Sequence, residues 1–100
     1  MPKTLNIPVR IDVFHQIEAR ETQWEYRPIN AYWENKLRDR HYDQIRLYVE
    51  YPAQEDLNKA ITRPWLGYEV HNVTIPRFGE TPTQVFAIRV NSEEELGQDA

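Results

Sequence analysis

Short runs of strictly alternating apolar and polar residues, each cut off by a proline or a polar turn, constrain this chain more than any other feature. Ile45, Leu47, Val49 and Tyr51 alternate with Arg46, Tyr48 and Glu50, and Pro52 follows. A period of two puts one set of side chains on each face of a pleated backbone, so the run predicts a half-buried strand that Pro52 terminates. Leu5, Ile7, Val9, Ile11 and Val13 alternate with Asn6, Pro8, Arg10 and Asp12 in the same way, and this strand is expected to end before Val13. Asp12 is then placed to cap a short helix that stops near Arg20, with Val13, Phe14 and Ile17 sharing one face.

The rest of the chain follows the same grammar. Trp24-Glu25-Tyr26-Arg27 reads as a second strand that Pro28 ends. Ile29, Trp33 and Leu37 recur every four residues and Glu34 stands four before Arg38, which predicts an amphipathic helix from Ile29 to about Arg40. Between Gln54 and Ile61 the pattern fits either a helical turn or two or a structured loop, with Pro64 and polar flanks close by. Leu66, Tyr68 and Val70 hold one phase of a long strand and Val73 and Ile75 the other, so a bulge or bend is expected near His71-Asn72. Phe86, Ile88 and Val90 form a closing strand. Strand, helix, strand, helix and three further strands predict an α+β fold, a small mixed β-barrel with two or three short helices rather than a layered parallel sheet.

One hundred residues suffice for a single core. The domain is expected to span residues 1–90. From Asn91 the chain turns polar and acidic, with Glu93, Glu94, Glu95 and Asp99, and residues 91–100 read as a disordered tail. The net charge of −4 argues against a protein that coats nucleic acid through a broad basic surface. Because much of that charge sits in the tail, a local basic pocket is still allowed. There are no cysteines, hence no disulfide, thiolate metal site or cysteine nucleophile. No apolar run is long enough to span a membrane and the Met-Pro-Lys-Thr start lacks a secretory apolar segment, so the expectation is a soluble, cytoplasmic protein with no membrane partner.

Several chemistries lack their signatures. His15, His41 and His71 are 26 and 30 residues apart, without the close spacing of a metal site. Gly67, Gly79 and Gly97 cannot build a phosphate-cradling glycine loop, and no Gly-x-Ser-x-Gly elbow occurs. No metal and no cofactor is implied.

Two groupings carry chemistry. Glu25 and Arg27 stand two apart on one strand and point to one face, where they either present a carboxylate and a guanidinium to a base edge or form an ordinary surface ion pair. Trp24, Tyr26, Trp33, Tyr48 and Tyr51 are chiefly core material, with one or two available to stack on a base.

The stretch from Phe14 to Tyr51 resembles the ASCH family through Phe14 and Ile17 of a Phe-x-x-Ile pattern, the Glu25-Tyr26-Arg27 strand and the Tyr32-Trp33 helix. Tyr42-Asp43-Gln44-Ile45-Arg46 is similar to the family's next strand and Val85-Phe86-Ala87-Ile88 to its closing one. The resemblance implies a PUA-like barrel whose cleft, lined by the Glu-x-Arg strand, binds RNA, a nucleoside or a modified base. Glu25 would accept hydrogen bonds from base or ribose, Arg27 would hold a phosphate or base edge, and Trp24, Tyr26 or Trp33 would supply a stacking plane. Thr22 and Tyr48 complete the expected lining.

Some ASCH proteins resemble hydrolases that remove an acyl group from the exocyclic nitrogen of cytidine, and others are reported as ribonucleases. Here the pattern departs. Aligned without a gap on Glu25-Tyr26-Arg27, Thr22 stands where the family has Lys and Arg20 where it has Gly. The Thr that this Lys activates is replaced by Glu25. A one-residue gap instead sets Thr22 on the Thr that follows the family's Lys, and Glu21 on the Lys itself. Either way the Lys is lost, which leaves Thr22 without an evident base. A binding module for RNA or a nucleotide is the first expectation. A nucleoside- or RNA-processing enzyme, with Glu25 as general base and Arg27 as electrostatic stabiliser, is the second. A small inhibitor or interaction protein with a protein partner is the third.

Overall fold

The computed structural model of the protein describes residues 1–96, apart from the side chain of Glu95. Six strands divide into two three-stranded sheets. The first holds β1 (Thr4–Val9), β3 (Gln44–Val49) and β4 (Ala60–Pro64) in the order β1-β3-β4. Its β1 and β3 run parallel, from Thr4↔Gln44 to Val9↔Val49, and β4 is antiparallel to β3. The second sheet is antiparallel throughout, with β6 (Thr83–Arg89) between β2 (Trp24–Pro28) and β5 (Tyr68–Val73). Two helices, α1 (Ile11–Glu18) and α2 (Ala31–Leu37), complete an α+β fold. Among the described residues no strand pairing joins the two sheets, so the strands do not close into the expected barrel.

The chain crosses between the sheets because two parallel strands cannot be joined by a tight turn. The crossover from β1 to β3 contains α1, β2 and α2, and β2 leaves it to pair with β6 in the other sheet. This detour brings β2 beside the corner where β1 turns into α1.

The core lies between the sheets and the helices. Leu5, Ile7 and Val9 of β1 and Ile45, Leu47 and Val49 of β3 share the inward face, and Phe86, Ile88 and Val90 meet them from the second sheet. Phe14 and Ile17 of α1 and Leu37 of α2 close it, each buried side chain contributing roughly 1.5–3 kcal/mol.

Several boundaries differ from expectation. α1 starts at Ile11 with Arg10 as its N-cap, and Asp12 lies in the first turn rather than capping. The alternation of Ile11 and Val13 continues that of β1 and disguises the start, but burying both Phe14 and Ile17 requires helical spacing. α2 is shorter than predicted because Asn30 caps it, its Oδ1 accepting from the Trp33 N–H at 2.9 Å. β3 stops at Val49, and Tyr51 is 95% exposed with φ of 48°.

The segment left open between helix and loop holds one 3₁₀ turn, Gln54–Asp56, and then β4, a strand the periodicity did not reveal. β4 is an edge strand of Ala60-Ile61-Thr62-Arg63-Pro64, too poor in apolar residues to leave a pattern.

The expected bulge near His71-Asn72 is absent, since β5 pairs with β6 in unbroken register from Tyr68↔Ile88 to Val73↔Thr83. Apolar groups occupy both faces of this sheet, with Val85 and Ala87 fully buried on the outer side, and a two-faced strand mimics a phase slip. Asn91, assigned above to the tail, is also fully buried; its Nδ2 donates to the carbonyls of Ile17 at 3.1 Å and Thr22 at 2.8 Å. Glu93–Glu95 form a 3₁₀ turn, and the tail beyond residue 96 lies outside the described residues.

Candidate functional site

β2 separates two chemistries by its period of two. Glu25 and Arg27 pair with Ile88 and Phe86 and point inward, whereas Trp24 and Tyr26 pair with Arg89 and Ala87 and point outward. Glu25 is 3% exposed, an uncommon place for a carboxylate without cationic partners. It has two. Arg77 Nη1 donates to its Oε1 at 3.0 Å, and Arg27 Nη2 stands 3.8 Å from Oε2, outside hydrogen-bond distance.

Arg27 bridges the sheets. Its Nη2 donates to the Pro8 carbonyl at 2.6 Å, and its guanidinium lies 5.3 Å from the centre of the Trp33 ring, a cation–π contact that fixes its plane. Burial pulls the Arg27 pKa below the usual arginine value, with Arg77 adding to the fall, while Glu25, Glu50 and Tyr32 counter it. Its Nε is buried without a partner.

These groups form the wall of a cavity of about 270 Å³, lined by Pro8, Val9, Arg10, Val13, Glu25, Arg27, Glu50 and Arg77. It opens at the C-terminal ends of the parallel strands β1 and β3, the position where ligands bind in open sheets with parallel strands. Arg77 arrives from a 3₁₀ turn, Pro76–Phe78, that precedes β6, with Gly79 in the left-handed region at φ of 108° as the chain leaves the turn.

Of the residues expected from sequence, Glu25, Arg27 and Trp33 come together. Thr22 does not join them: its hydroxyl donates to the Trp24 carbonyl at 3.1 Å. Trp24 and Tyr26 lie on the outer face of the second sheet, where His71 meets Trp24 edge-on at 4.6 Å and Arg89 covers the same ring at 4.4 Å. Glu69 ties that cluster, accepting from Arg89 at 2.9 Å and pairing with His71 at 3.0 Å. Tyr48 is on the outer face of the first sheet under Arg46.

Arg10, Glu50 and Arg77 are the charged cavity residues that sequence reasoning missed. Arg10 and Glu50 stand within the predicted strands and directly follow the observed ones, which end at Val9 and Val49, a position that can be read from sequence only once those ends and the parallel pairing are known. Arg77 carries no local signal.

The lining offers charge and hydrogen bonding but no Ser, Thr, Cys, Lys or His. Among the described residues no group of three or more His, Cys, Asp or Glu side chains could hold a metal ion, and no helix is long and apolar enough to cross a membrane. No protein-family model, curated protein or solved structure matches the chain.

Proposed function

We propose that the protein is an RNA- or modified-nucleotide-binding module of the ASCH type with a PUA-like fold, cytoplasmic, and that its ligand enters the cavity beside Glu25 and Arg27. The observation that carries this reading is the pairing of a buried carboxylate and a partly buried guanidinium on one cavity wall, with Trp33 behind the guanidinium. Glu25 Oε2, without a hydrogen-bonded cation, supplies an acceptor for an exocyclic amino group, and the Arg27 guanidinium in the cavity wall supplies a donor for a ring nitrogen or carbonyl. A cavity of about 270 Å³ falls just below the roughly 300–1,000 Å³ typical of small-molecule sites, which suits one nucleotide unit better than a stretch of chain.

Binding is favoured over turnover. Hydrolysis of an acylated cytidine needs a nucleophile or a free base at the reacting carbon. Thr22 lies outside the cavity lining, and Glu25 Oε1 is held by Arg77.

NMR titration of labelled protein with cytidine, N4-acetylcytidine and a short single-stranded RNA tests the reading. Shifts are expected at the Trp33 indole and the Arg27 side chain, with the acylated cytidine left intact. Silence of both signals across the panel would refute a nucleotide cleft and direct attention to protein partners.

A further inference from the structure

Resting on the nucleotide reading above, we infer that the cavity recognises a terminal phosphate monoester, so that its ligand is a nucleotide bearing a 5′-phosphate rather than a nucleoside. The charge of the lining points there. Arg10, Arg27 and Arg77 face Glu25 and Glu50, an excess of one positive charge in a protein whose net charge is −4. That excess is concentrated where the chain as a whole would repel an anion.

The three guanidinia are not equivalent. Arg27 is held in place by the Pro8 carbonyl and Trp33. Arg77 is anchored at one nitrogen by Glu25 while its side chain is 44% exposed. Arg10 has an exposed partner, Asp12 at 3.3 Å, and such surface pairs exchange readily for a better anion. Asp12 does not line the cavity.

A fourth positive contribution comes from α1. Its N-cap Arg10 and its first-turn Val13 line the cavity, and no side chain caps the helix, leaving its first N–H groups unsatisfied by protein side chains. A helix N-terminus carries roughly half a positive charge. Added to the surplus guanidinium, this makes about one and a half charges, against about −1.5 to −2 on a phosphate monoester at neutral pH. A neutral nucleoside would leave that charge uncompensated, and an internal phosphodiester carries less than is needed. Arginine also matches phosphate geometry through paired donors.

The test compares cytidine, cytidine 5′-monophosphate, inorganic phosphate and a short RNA with and without a 5′-phosphate, by calorimetry and by NMR on the full chain. The monophosphate is expected to bind at least about tenfold more tightly than cytidine, with shifts at the Arg10 and Arg77 side chains and the Asp12 and Val13 amides. Arg10→Gln should remove most of that advantage, whereas Arg46→Gln, on the outer face of the first sheet and outside the cavity lining, should retain it. The oligonucleotide arms distinguish a free nucleotide from an RNA 5′ end as the source of the phosphate.

Equal affinity for cytidine and its monophosphate would overturn the phosphate inference and leave the nucleotide cleft standing. Binding of inorganic phosphate alone would keep the anion site and overturn the nucleotide reading. Binding of nothing in the set would overturn both.

Discussion

Arg77 Nη1 lies 3.0 Å from Oε1 of Glu25, a contact between residues fifty-two positions apart that ties the turn before β6 to the buried face of β2. Because Glu25 is buried, the pair is structural as well as part of the cavity wall. Glu25→Gln is expected to cost about 2–4 kcal/mol in chemical denaturation, since the partly buried Arg27 would then stand beside a neutral amide. Arg77→Met should cost a comparable amount, because it leaves the buried Glu25 carboxylate with only Arg27, 3.8 Å away. The double mutant should lose less than the two single losses together, and additivity would mean that the contact carries no coupling.

Thr22 provides a test of chemistry against architecture. Its hydroxyl donates to the Trp24 carbonyl outside the cavity lining. Thr22→Ala should therefore lower stability by about 0.5–1.5 kcal/mol and leave nucleotide affinity unchanged. A loss of binding, or of any hydrolysis of acylated cytidine, would place Thr22 in a role that its hydrogen bond does not suggest.

Asn91 extends the folded body past the last strand. Removing its side chain leaves the Ile17 and Thr22 carbonyls without their Nδ2 donor, so Asn91→Ala is expected to cost about 2–3 kcal/mol. Asn91→Asp should cost more, because it buries a charge facing two carbonyl oxygens. A chain ending at Val90 should melt at or below the temperature of Asn91→Ala, and equality with the full chain would show that Asn91 is dispensable.

Tyr42 sets an alkaline limit. Burial raises its hydroxyl pKa above the ordinary 10.0, against a smaller opposing pull from Arg40, and the hydroxyl donates to the Lys36 carbonyl at 2.5 Å. Above pH 10.0 the unfolded chain releases a proton that the folded chain still holds. Stability from this group is therefore complete below that pH and falls as pH rises through the folded value. Tyr42→Phe should flatten the fall, as read from denaturation midpoints at increasing pH. An unchanged slope would assign the alkaline loss to other groups.

A ligand titration can also separate the two faces of β2. Trp33 lies against Arg27, whereas Trp24 is covered by Arg89 and His71 on the opposite face. Nucleotide should shift the Trp33 indole and leave the Trp24 indole still. A Trp24 response without one from Trp33 would move the site to the outer face of the second sheet.

What could be read from sequence was local. The inward set of β1 and β3, the helical spacing of Phe14 and Ile17, and the common face of Glu25 and Arg27 all follow from periods of two or of about 3.6 residues, which depend on near neighbours. The family resemblance, not this periodicity, grouped Trp24 and Tyr26 with Glu25 and Arg27 around one cleft. The period of two parts them onto opposite faces, and pairing with β6 decided that Glu25 and Arg27 face the core, since no local rule says which face is buried.

The strands and helices of this protein were thus set in outline by its sequence, through the repetition of apolar residues that must leave water together. The tertiary structure alone decided that the strands form two sheets, that Ala60–Pro64 joins one of them as an edge, and that Arg10, Arg27, Glu50 and Arg77 converge around Glu25. A charged side chain costs too much to bury alone, so its partner is chosen by whatever the fold carries past it. For Glu25 that is an arginine from another turn of the chain, and separation in sequence gives no measure of that distance.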